Sequence, residues 1–269
     1  MYAAFNLINV RDVFNNGVPM NVYVEFYKVL NKLDLSETKS SLSKYLLHDV
    51  IIDGHLMSED WFPQVKADIF LSHSHLDKEY AYALAGWLNV NLGLKVFVDS
   101  AIWGCADELL NEIDDKYCMT GKDSYSYASR NITTAHVHMM LSTALLKMID
   151  KTECLFFLNT DNSSTSQFGN CMNGSGTYSP WIYSEIEIAN CIRRERKREG
   201  VIFESARDSV EIRKYQAVYP IELEGFPIIT SKVLDKWRST RAKYTKNIHS
   251  LDILYGIVLG KWSDYYGVQ

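Results

Sequence analysis

Short, almost wholly apolar segments alternate with segments of helical periodicity through the middle of the chain. In the segments that separate the short apolar ones, apolar side chains recur at helical spacing, as at Tyr80, Leu84 and Trp87. Strands buried on both faces lose the apolar–polar alternation of a half-exposed strand, so this order predicts an α/β fold with an open parallel sheet. The four predicted strands are residues 67–72, 95–99, 154–159 and 217–223.

The flanking segments predict helices. Residues 1–64 are expected to form a helical N-terminal extension, because Val22, Phe26 and Val29 are spaced as on one helix face. Residues 231–269 are expected to form two amphipathic helices that pack on the core. The predicted α/β domain therefore covers residues 65–230.

Open parallel sheets bind ligands beyond the carboxyl ends of their strands, which directs attention to residues 72–77, 99–134 and 160–180. Two of these segments hold long predicted loops. One covers residues 100–134 and includes a short helix near Leu109, and the other covers residues 161–179 and is rich in Ser, Asn and Gly. Long loops in a small domain are usually functional, so we expect them to cover the site.

Charge and cysteine content narrow the classes of function. The formal net charge is −5, from 28 basic and 33 acidic residues, which argues against nucleic acid or an anionic membrane as a partner. No apolar segment reaches the roughly 18–20 residues of a membrane span, and we expect a cytoplasmic protein. Five cysteines without Cys-x-x-Cys spacing predict neither a disulfide framework nor a zinc site. The basic run at 193–198 is interpreted as a solvated helix end.

Glu185 is the sharpest local anomaly. A helix over 181–193, favoured by Pro180 at its first turn, places Glu185 in the middle of an apolar arc, whereas Glu187 faces water. Burial of an unpaired carboxylate is costly and raises its pKa toward a range useful for catalysis. The alternative is a structural Glu paired with a buried Arg or with backbone donors. The arc consists of Ile182, Ile186, Ile188, Ala189 and Ile192.

Polar side chains follow the first two predicted strands. Residues 72–75 read Ser72, His73, Ser74 and His75, directly after the first strand. Two histidines permit a metal pair, but no third ligand is indicated, so contacts to a substrate or a solvated loop are the favoured interpretations.

Asp99 is a carboxylate at the carboxyl end of the second predicted strand, and it is followed by Trp103, an aromatic residue able to stack on a base, and by Gly104. Of His136 and His138, about 200° apart on a helix, one is expected near the cleft and one in solvent. They cannot chelate a metal together.

Several common catalytic motifs are absent from the sequence. No G-x-G-x-x-G follows the first strand, and no P-loop, G-x-S-x-G or H-E-x-x-H motif occurs. Dinucleotide-dependent hydride transfer, P-loop phosphoryl transfer and serine hydrolysis are therefore disfavoured.

Three segments, read in order, resemble the TIR domain family. They are ADIFLSHSHLD from residue 67, GLKVFVDSAIWG from residue 93 and SPWIYSEIEIA from residue 179. The last matches the W-x-x-x-E pattern of enzymatic members with Trp181 and Glu185. The resemblance implies a flavodoxin-like open parallel sheet in which residues 100–134 form an unusually long BB loop.

Enzymatic TIR domains cleave the nicotinamide–ribose bond of NAD, so the resemblance implies that NAD is the substrate and that no separate cofactor or metal is required. It assigns the catalytic carboxylate to Glu185. Residues expected to contact the substrate are Ser72, His73, Ser74, Asp99, Trp103, Gly104 and Trp181.

The resemblance extends to bacterial antiphage proteins of the Thoeris type. It implies self-association through TIR surfaces and a separate effector protein that senses an ADP-ribose-derived product, either cyclic or conjugated. Two alternatives stay open: a non-catalytic TIR interaction module, and a flavodoxin-like enzyme related to nucleoside deoxyribosyltransferases.

Overall fold

The computed structural model describes residues 1–15, 17–31, 42–48, 51–103, 106–122, 124–165, 175–192, 218–244 and 248–260. The strands of this part of the chain are β1 (Ala3–Ile8), β2 (Leu46–His48), β3 (Ile51–Ile52), β4 (Ile69–Ser72), β5 (Val96–Phe97), β6 (Met119–Gly121), β7 (Ser124–Tyr125), β8 (Cys154–Asn159), β9 (Ser175–Thr177), β10 (Tyr219–Ile221) and β11 (Ile228–Ile229). Its α-helices are α1 (Met20–Leu30), α2 (Gly54–Trp61), α3 (Lys78–Leu92), α4 (Asp99–Ile102), α5 (Ala106–Tyr117), α6 (Tyr127–Lys151), α7 (Pro180–Cys191), α8 (Ser231–Arg241) and α9 (Ser250–Leu259).

The central element is a five-stranded sheet in the order β11-β1-β8-β4-β5, and all of its pairings are parallel. The predicted α/β fold with a parallel sheet is therefore confirmed. Three of the predicted strands, β4, β5 and β8, lie in the order β5-β4-β8, which matches the first three positions of the 2-1-3-4-5 order of flavodoxin-like sheets.

The next position in the sheet is occupied by β1, from the N-terminal segment. The prediction that residues 1–64 form a helical extension is wrong for Ala3–Ile8, which pairs along its whole length with β8. Both faces of this strand are buried, so its sequence is a short, mostly apolar run that does not alternate between apolar and polar residues. Strand β1 is therefore part of the sheet, and the α-helices described in the rest of this N-terminal segment are α1 and α2.

The fourth predicted strand also lies elsewhere. Residues 219–221 form β10, which pairs with β9 in an antiparallel ribbon separate from the central sheet. Pro220 is the physical reason, because it has no N–H to donate to a ladder on both sides. The edge position of the sheet goes instead to the two-residue strand β11 beside β1.

Helices cover both faces of the sheet. Helices α1, α3, α8 and α9 pack on the face that carries Phe5, Leu71 and Phe156. Helices α2, α5, α6 and α7 pack on the other face, with Phe70 and Phe157. Helices α8 and α9 of the C-terminal segment pack on the core, as expected, and residues 261–269 lie outside the described residues.

Helix α1 shows how closely one layer is packed. A Cβ at Gly86 of α3 would lie 2.2 Å from the carbonyl oxygen of Tyr23, so only glycine allows the two helices this approach. Tyr23 and Tyr27 are the buried side of α1, while Val22 and Val29, which predicted the helix, lie on its exposed side.

The segment predicted as a long loop at 100–134 contains mostly regular structure. It includes α5, whose Leu109 and Ile113 are buried as their spacing predicts, and the hairpin of β6 and β7. Helix α6 already begins at Tyr127. Among the described helices, none combines the length and the apolar character needed to cross a bilayer.

Candidate functional site

A cleft of about 440 Å³ opens beyond the carboxyl ends of β4 and β5, where open parallel sheets bind ligands. Its walls come from the turn after β4, from the first residue of α3, from α4, α5 and α6, and from the first half of α7. The lining residues are Phe62, His73, His75, Lys78, Asp99, Ser100, Trp103, Ala106, Asp107, Glu108, His138, Leu141, Leu145, Ser179, Trp181, Ile182 and Glu185.

Glu185 lies on α7, where the sequence predicts it. The Ser179 hydroxyl accepts from the backbone N–H of Ile182 and Pro180 occupies the first turn, so local sequence sets the start of this helix. Glu185 is only 3% exposed and shares the buried face of the helix with Ile182 and Ile186, as the helical arc predicts.

Among the described residues, the Glu185 carboxylate has one hydrogen-bond donor, the hydroxyl of Ser72, whose Oγ lies 2.6 Å from Oε2. Ser72 is the last residue of β4 and is itself buried. Within the described part of the chain, no lysine or arginine forms an ion pair with Glu185. The alternative that Glu185 is paired with a buried Arg is therefore not supported by the described residues.

Burial raises the pKa of Glu185 well above its ordinary value, and the negative charge of Asp99 raises it further, while the Ser72 hydrogen bond acts in the opposite direction. A buried carboxyl group with a raised pKa, facing a cleft, is typical of catalytic sites.

Asp99, His73 and Ser100 form a second polar group in the cleft. Nδ1 of His73 lies 3.6 Å from Oδ1 of Asp99, and its Nε2 lies 3.1 Å from the Ser100 hydroxyl. His73 is buried, whereas the Asp99 side chain is 37% exposed. The structure thus brings His73 and Asp99 together with Glu185, as the positions after the two strands predict.

The two predicted tryptophans differ in their surroundings. Trp103 lines the cleft but is almost fully buried, since its ring packs edge-on against Phe97 and Phe62 and its indole N–H donates to the Pro63 carbonyl. Trp181 is half-buried and packs edge-on against His138 across the cleft.

Two other predicted substrate contacts, Ser72 and Ser74, do not line the cleft. The Ser74 hydroxyl instead caps the turn His75–Asp77 by accepting from the Leu76 N–H. Gly104 lies outside the described residues, as do residues 166–174 of the second long loop and the basic run at 193–198.

The cleft also contains charged residues that sequence reasoning did not single out. Lys78, Asp107 and Glu108 lie at the first turns of α3 and α5. Their positions depend on how helices far apart in sequence face one another. His138 lines the cleft, while His136 lies on a different face of α6, in agreement with the predicted separation.

Buried polar contacts connect the turns after β4 and β8. The buried Asp77 accepts from the Thr160 hydroxyl at 2.6 Å and from the Asn162 amide at 3.0 Å. The Asn159 amide donates to the Asn6 side chain at the ends of β8 and β1. These contacts hold the two turns together at the carboxyl ends of the strands.

Among the described residues, no group of three or more His, Cys, Asp and Glu side chains is arranged to hold a metal ion. Comparisons with protein-family models, with curated proteins and with solved structures find no match for this chain.

Proposed function

We propose that this chain is a TIR-type enzyme that cleaves the nicotinamide–ribose bond of NAD, with Glu185 as its catalytic carboxylate. The proposal joins the resemblance of three sequence segments to one structural observation. That observation is the burial of Glu185 at the cleft, with Ser72 as its hydrogen-bond donor.

The surroundings of Glu185 support a catalytic role over a structural one. Structural carboxylates in protein interiors are paired or fully hydrogen-bonded, because an unpaired buried charge costs several kcal/mol. Glu185 lacks such pairing within the described residues and borders a cavity large enough for a small ligand. A cationic group of a substrate in that cavity would supply the missing partner.

The nicotinamide ring of NAD carries that positive charge. As the glycosidic bond breaks, its electron pair passes to the ring nitrogen, neutral nicotinamide leaves, and positive charge develops on the ribose C1 and ring oxygen. A fixed carboxylate beside the ribose stabilises this oxocarbenium-like state, as carboxylates do in glycoside hydrolysis. Glu185 acts in its ionised form in this step.

Other cleft residues fit parts of the same substrate. Asp99 adds a second negative charge near Glu185 and interacts with His73, and these two side chains supply an acceptor and a donor suited to ribose hydroxyls. Lys78, on the wall formed by α3, is a cation suited to the pyrophosphate. Trp181 offers a partly exposed ring for stacking.

The second nucleophile determines the product. Water attacking C1 gives ADP-ribose and releases one proton, whereas a nucleophilic atom of the same molecule gives a cyclic isomer. In line with the Thoeris-type resemblance, we propose that the product is an ADP-ribose-derived signal sensed by a separate effector protein, and that copies of the chain associate through TIR surfaces.

Glu185→Gln tests the proposal. The substitution keeps the shape of the side chain and removes its charge, and we expect nicotinamide release from NAD to fall by about 10²–10³-fold. Chromatography of the products, over a range of protein concentrations that allows self-association, measures the rate. Glu187→Gln is the matched control, since Glu187 lies on the same helix and does not line the cleft.

Nicotinamide release that is equal in Glu185→Gln and wild type would overturn the proposal, as would its absence from wild type at every concentration. Cleavage of free nucleosides, with NAD left intact, would instead identify a deoxyribosyltransferase-like enzyme. A circular dichroism spectrum unchanged from wild type would show that the variant is folded.

A further inference from the structure

The outward side of helix α6 carries a seam of apolar and small residues. Its large members recur every seven positions and are exposed, Ile132 at 60%, Met139 at 64% and Leu146 at 47%. A small residue precedes each of them by four positions, and at about 100° per residue all six lie within about 80° of the helix circumference. The members of this α6 seam are Ala128, Ile132, Ala135, Met139, Ser142 and Leu146.

The α6 seam lies in a stretch of the chain without formal charge. Residues 131–146 contain no Asp, Glu, Lys or Arg, although exposed side chains occur along this whole length. The solvent-facing side of a helix usually carries charged residues, and depletion of charge is typical of the centre of a protein interface. None of the seam residues lines the cleft. The seam therefore has the character of an interface surface outside the candidate active site.

The order of the seam residues fits a second copy of the same helix. When two copies run antiparallel about a two-fold axis beside Val137, each large seam residue faces a small one on the other copy. Alternation of large and small residues across a helix pair lets the layers interdigitate without voids. The facing pairs are Ile132 with Ser142, Met139 with Ala135, and Leu146 with Ala128.

A parallel pair of the same helices fits less well. Identical residues would share each layer, so layers of two large side chains would alternate with layers of two small ones and leave voids between the helices. A two-fold axis makes one self-complementary surface serve both copies. A surface for an unrelated protein has no reason to match its own reverse, so the order of residues favours a second copy as the partner.

The size of the seam is close to that of a small specific interface. From Ala128 to Leu146 the seam extends over about 27 Å, at about 1.5 Å per residue. The outward half of a helix ~11 Å across has a surface of about 470 Å² over this length, so two copies bury about 900 Å². This area approaches the roughly 1,000 Å² of a specific interface and is small for a permanent one. We therefore expect a dimer that dissociates on dilution.

We propose that two copies of this chain form an antiparallel dimer through the α6 seam, with the two-fold axis beside Val137. Pairing of this neutral surface buries no formal charge along residues 131–146, so no desolvation of charged groups opposes it. The inference rests on the self-association included in the proposed function and does not depend on cleavage of NAD.

Sedimentation velocity of the full chain over a range of protein concentrations tests the proposal. We expect a reversible monomer–dimer equilibrium in wild type. Met139→Glu places a carboxylate of each copy in the apolar contact beside the two-fold axis and should weaken dimerisation by about tenfold or more. Val90→Glu is the matched control, since Val90 is 53% exposed on α3, and it should leave dimerisation unchanged.

Exchanging the sizes of two facing residues tests the antiparallel order. Ala135→Met brings two methionines together and Met139→Ala leaves a void, and each should weaken dimerisation by about tenfold. The double variant, Ala135→Met with Met139→Ala, again sets a large residue opposite a small one and should recover most of the wild-type affinity. An apolar surface without this order would instead associate more tightly in Ala135→Met, because that substitution adds apolar area.

Wild type that stays monomeric at every concentration would overturn the proposal and leave the seam to a different protein. Association that Met139→Glu does not weaken would also overturn it, as would a double variant that dimerises no better than either single one. Circular dichroism establishes that each variant is folded. Nicotinamide release by a monomeric wild type would refute the dimer alone, whereas a dimer without nicotinamide release would refute the proposed reaction alone.

Discussion

Two carboxylates are buried to nearly the same extent in this molecule, Asp114 on α5 and Glu185 on α7, at 2% and 3% exposure. Asp114 accepts from Nε of Arg130 at 2.7 Å and from the Thr133 hydroxyl, both on α6. Glu185 accepts from Ser72 alone among the described residues. Asp114 therefore has a charged partner as well as a hydroxyl donor, whereas Glu185 has a hydroxyl donor alone among the described residues.

Their ionisation differs accordingly. Burial acts against the charge of Asp114, but hydrogen bonds from Thr133 and Arg130 outweigh it and hold the pKa below its ordinary value. At Glu185, burial and the charge of Asp99 raise the pKa, and the hydrogen bond from Ser72 offsets only part of this effect. Asp114 joins two helices, whereas Glu185 faces a cleft.

The difference separates a stabilising site from a functional one. Sites that serve a reaction often retain unfavourable arrangements at some cost in stability, which the rest of the fold offsets. The network at Asp114 shows that this fold can satisfy a buried carboxylate completely. The incomplete pairing of Glu185 therefore supports its assignment to substrate binding and catalysis.

The largest effect on stability is expected at Asp114. Asp114→Asn removes the charge that Arg130 and Thr133 bind and should lower the free energy of unfolding by about 1.5–3 kcal/mol. Denaturant unfolding at neutral pH measures the change, with Glu112→Gln, an exposed acidic residue of the same helix, as the matched control. A loss no greater than that of the control would show that the network is not stabilising.

Glu185→Gln should change stability in the other direction. Removing a desolvated charge should raise the free energy of unfolding at neutral pH by about 0.5–2 kcal/mol, the usual gain when a functional site is relaxed. The same unfolding measurement applies. A loss of unfolding free energy comparable to that of Asp114→Asn would mean that both carboxylates are structural. That result would contradict the contrast drawn between them.

The pH dependence of these differences should have opposite signs. Because the pKa of Glu185 is raised, the folded state binds the proton of this carboxyl group more tightly than the unfolded state does. The resulting contribution of Glu185 to the free energy of unfolding is complete below the ordinary pKa near 4.5 and is lost as pH rises toward the raised pKa. The lowered pKa of Asp114 means that its contribution is present above the ordinary value near 3.8 and is lost as pH falls through the lowered pKa. Denaturant unfolding of wild type, Asp114→Asn and Glu185→Gln at a series of pH values measures how the free energy of unfolding of each depends on pH.

Local sequence patterns predicted the positions of several residues at the Glu185 site. The place of Glu185 on the buried face of α7 follows from Pro180 and the spacing of its apolar neighbours, all within one helix. The positions of Ser72 and Asp99 follow from a rule about strand ends. In each case the controlling interactions are close in sequence or common to all parallel sheets.

Long-range features were not predictable in this way. Strand β1 pairs with β8, about 150 residues away along the chain, and nothing within Ala3–Ile8 indicates that partner. The partners of Asp114 lie on a helix that sequence reasoning began eight residues too late, at 135 rather than Tyr127. Lys78 enters the cleft only through the mutual packing of separate helices, which no local period describes.

The smallest effect concerns the two groups that adjust the pKa of Glu185, and it is measured by carboxyl ¹³C NMR without reference to any activity. Ser72→Ala removes the donor to the charged form and should raise the pKa of Glu185 further. Asp99→Asn removes a like charge and should lower the pKa of Glu185. Shifts in the same direction, or none, would mean that desolvation alone governs Glu185. Opposite shifts would show that Ser72 and Asp99 change the pKa of this carboxyl group in opposite directions, whereas Thr133 and Arg130 both lower the pKa of Asp114.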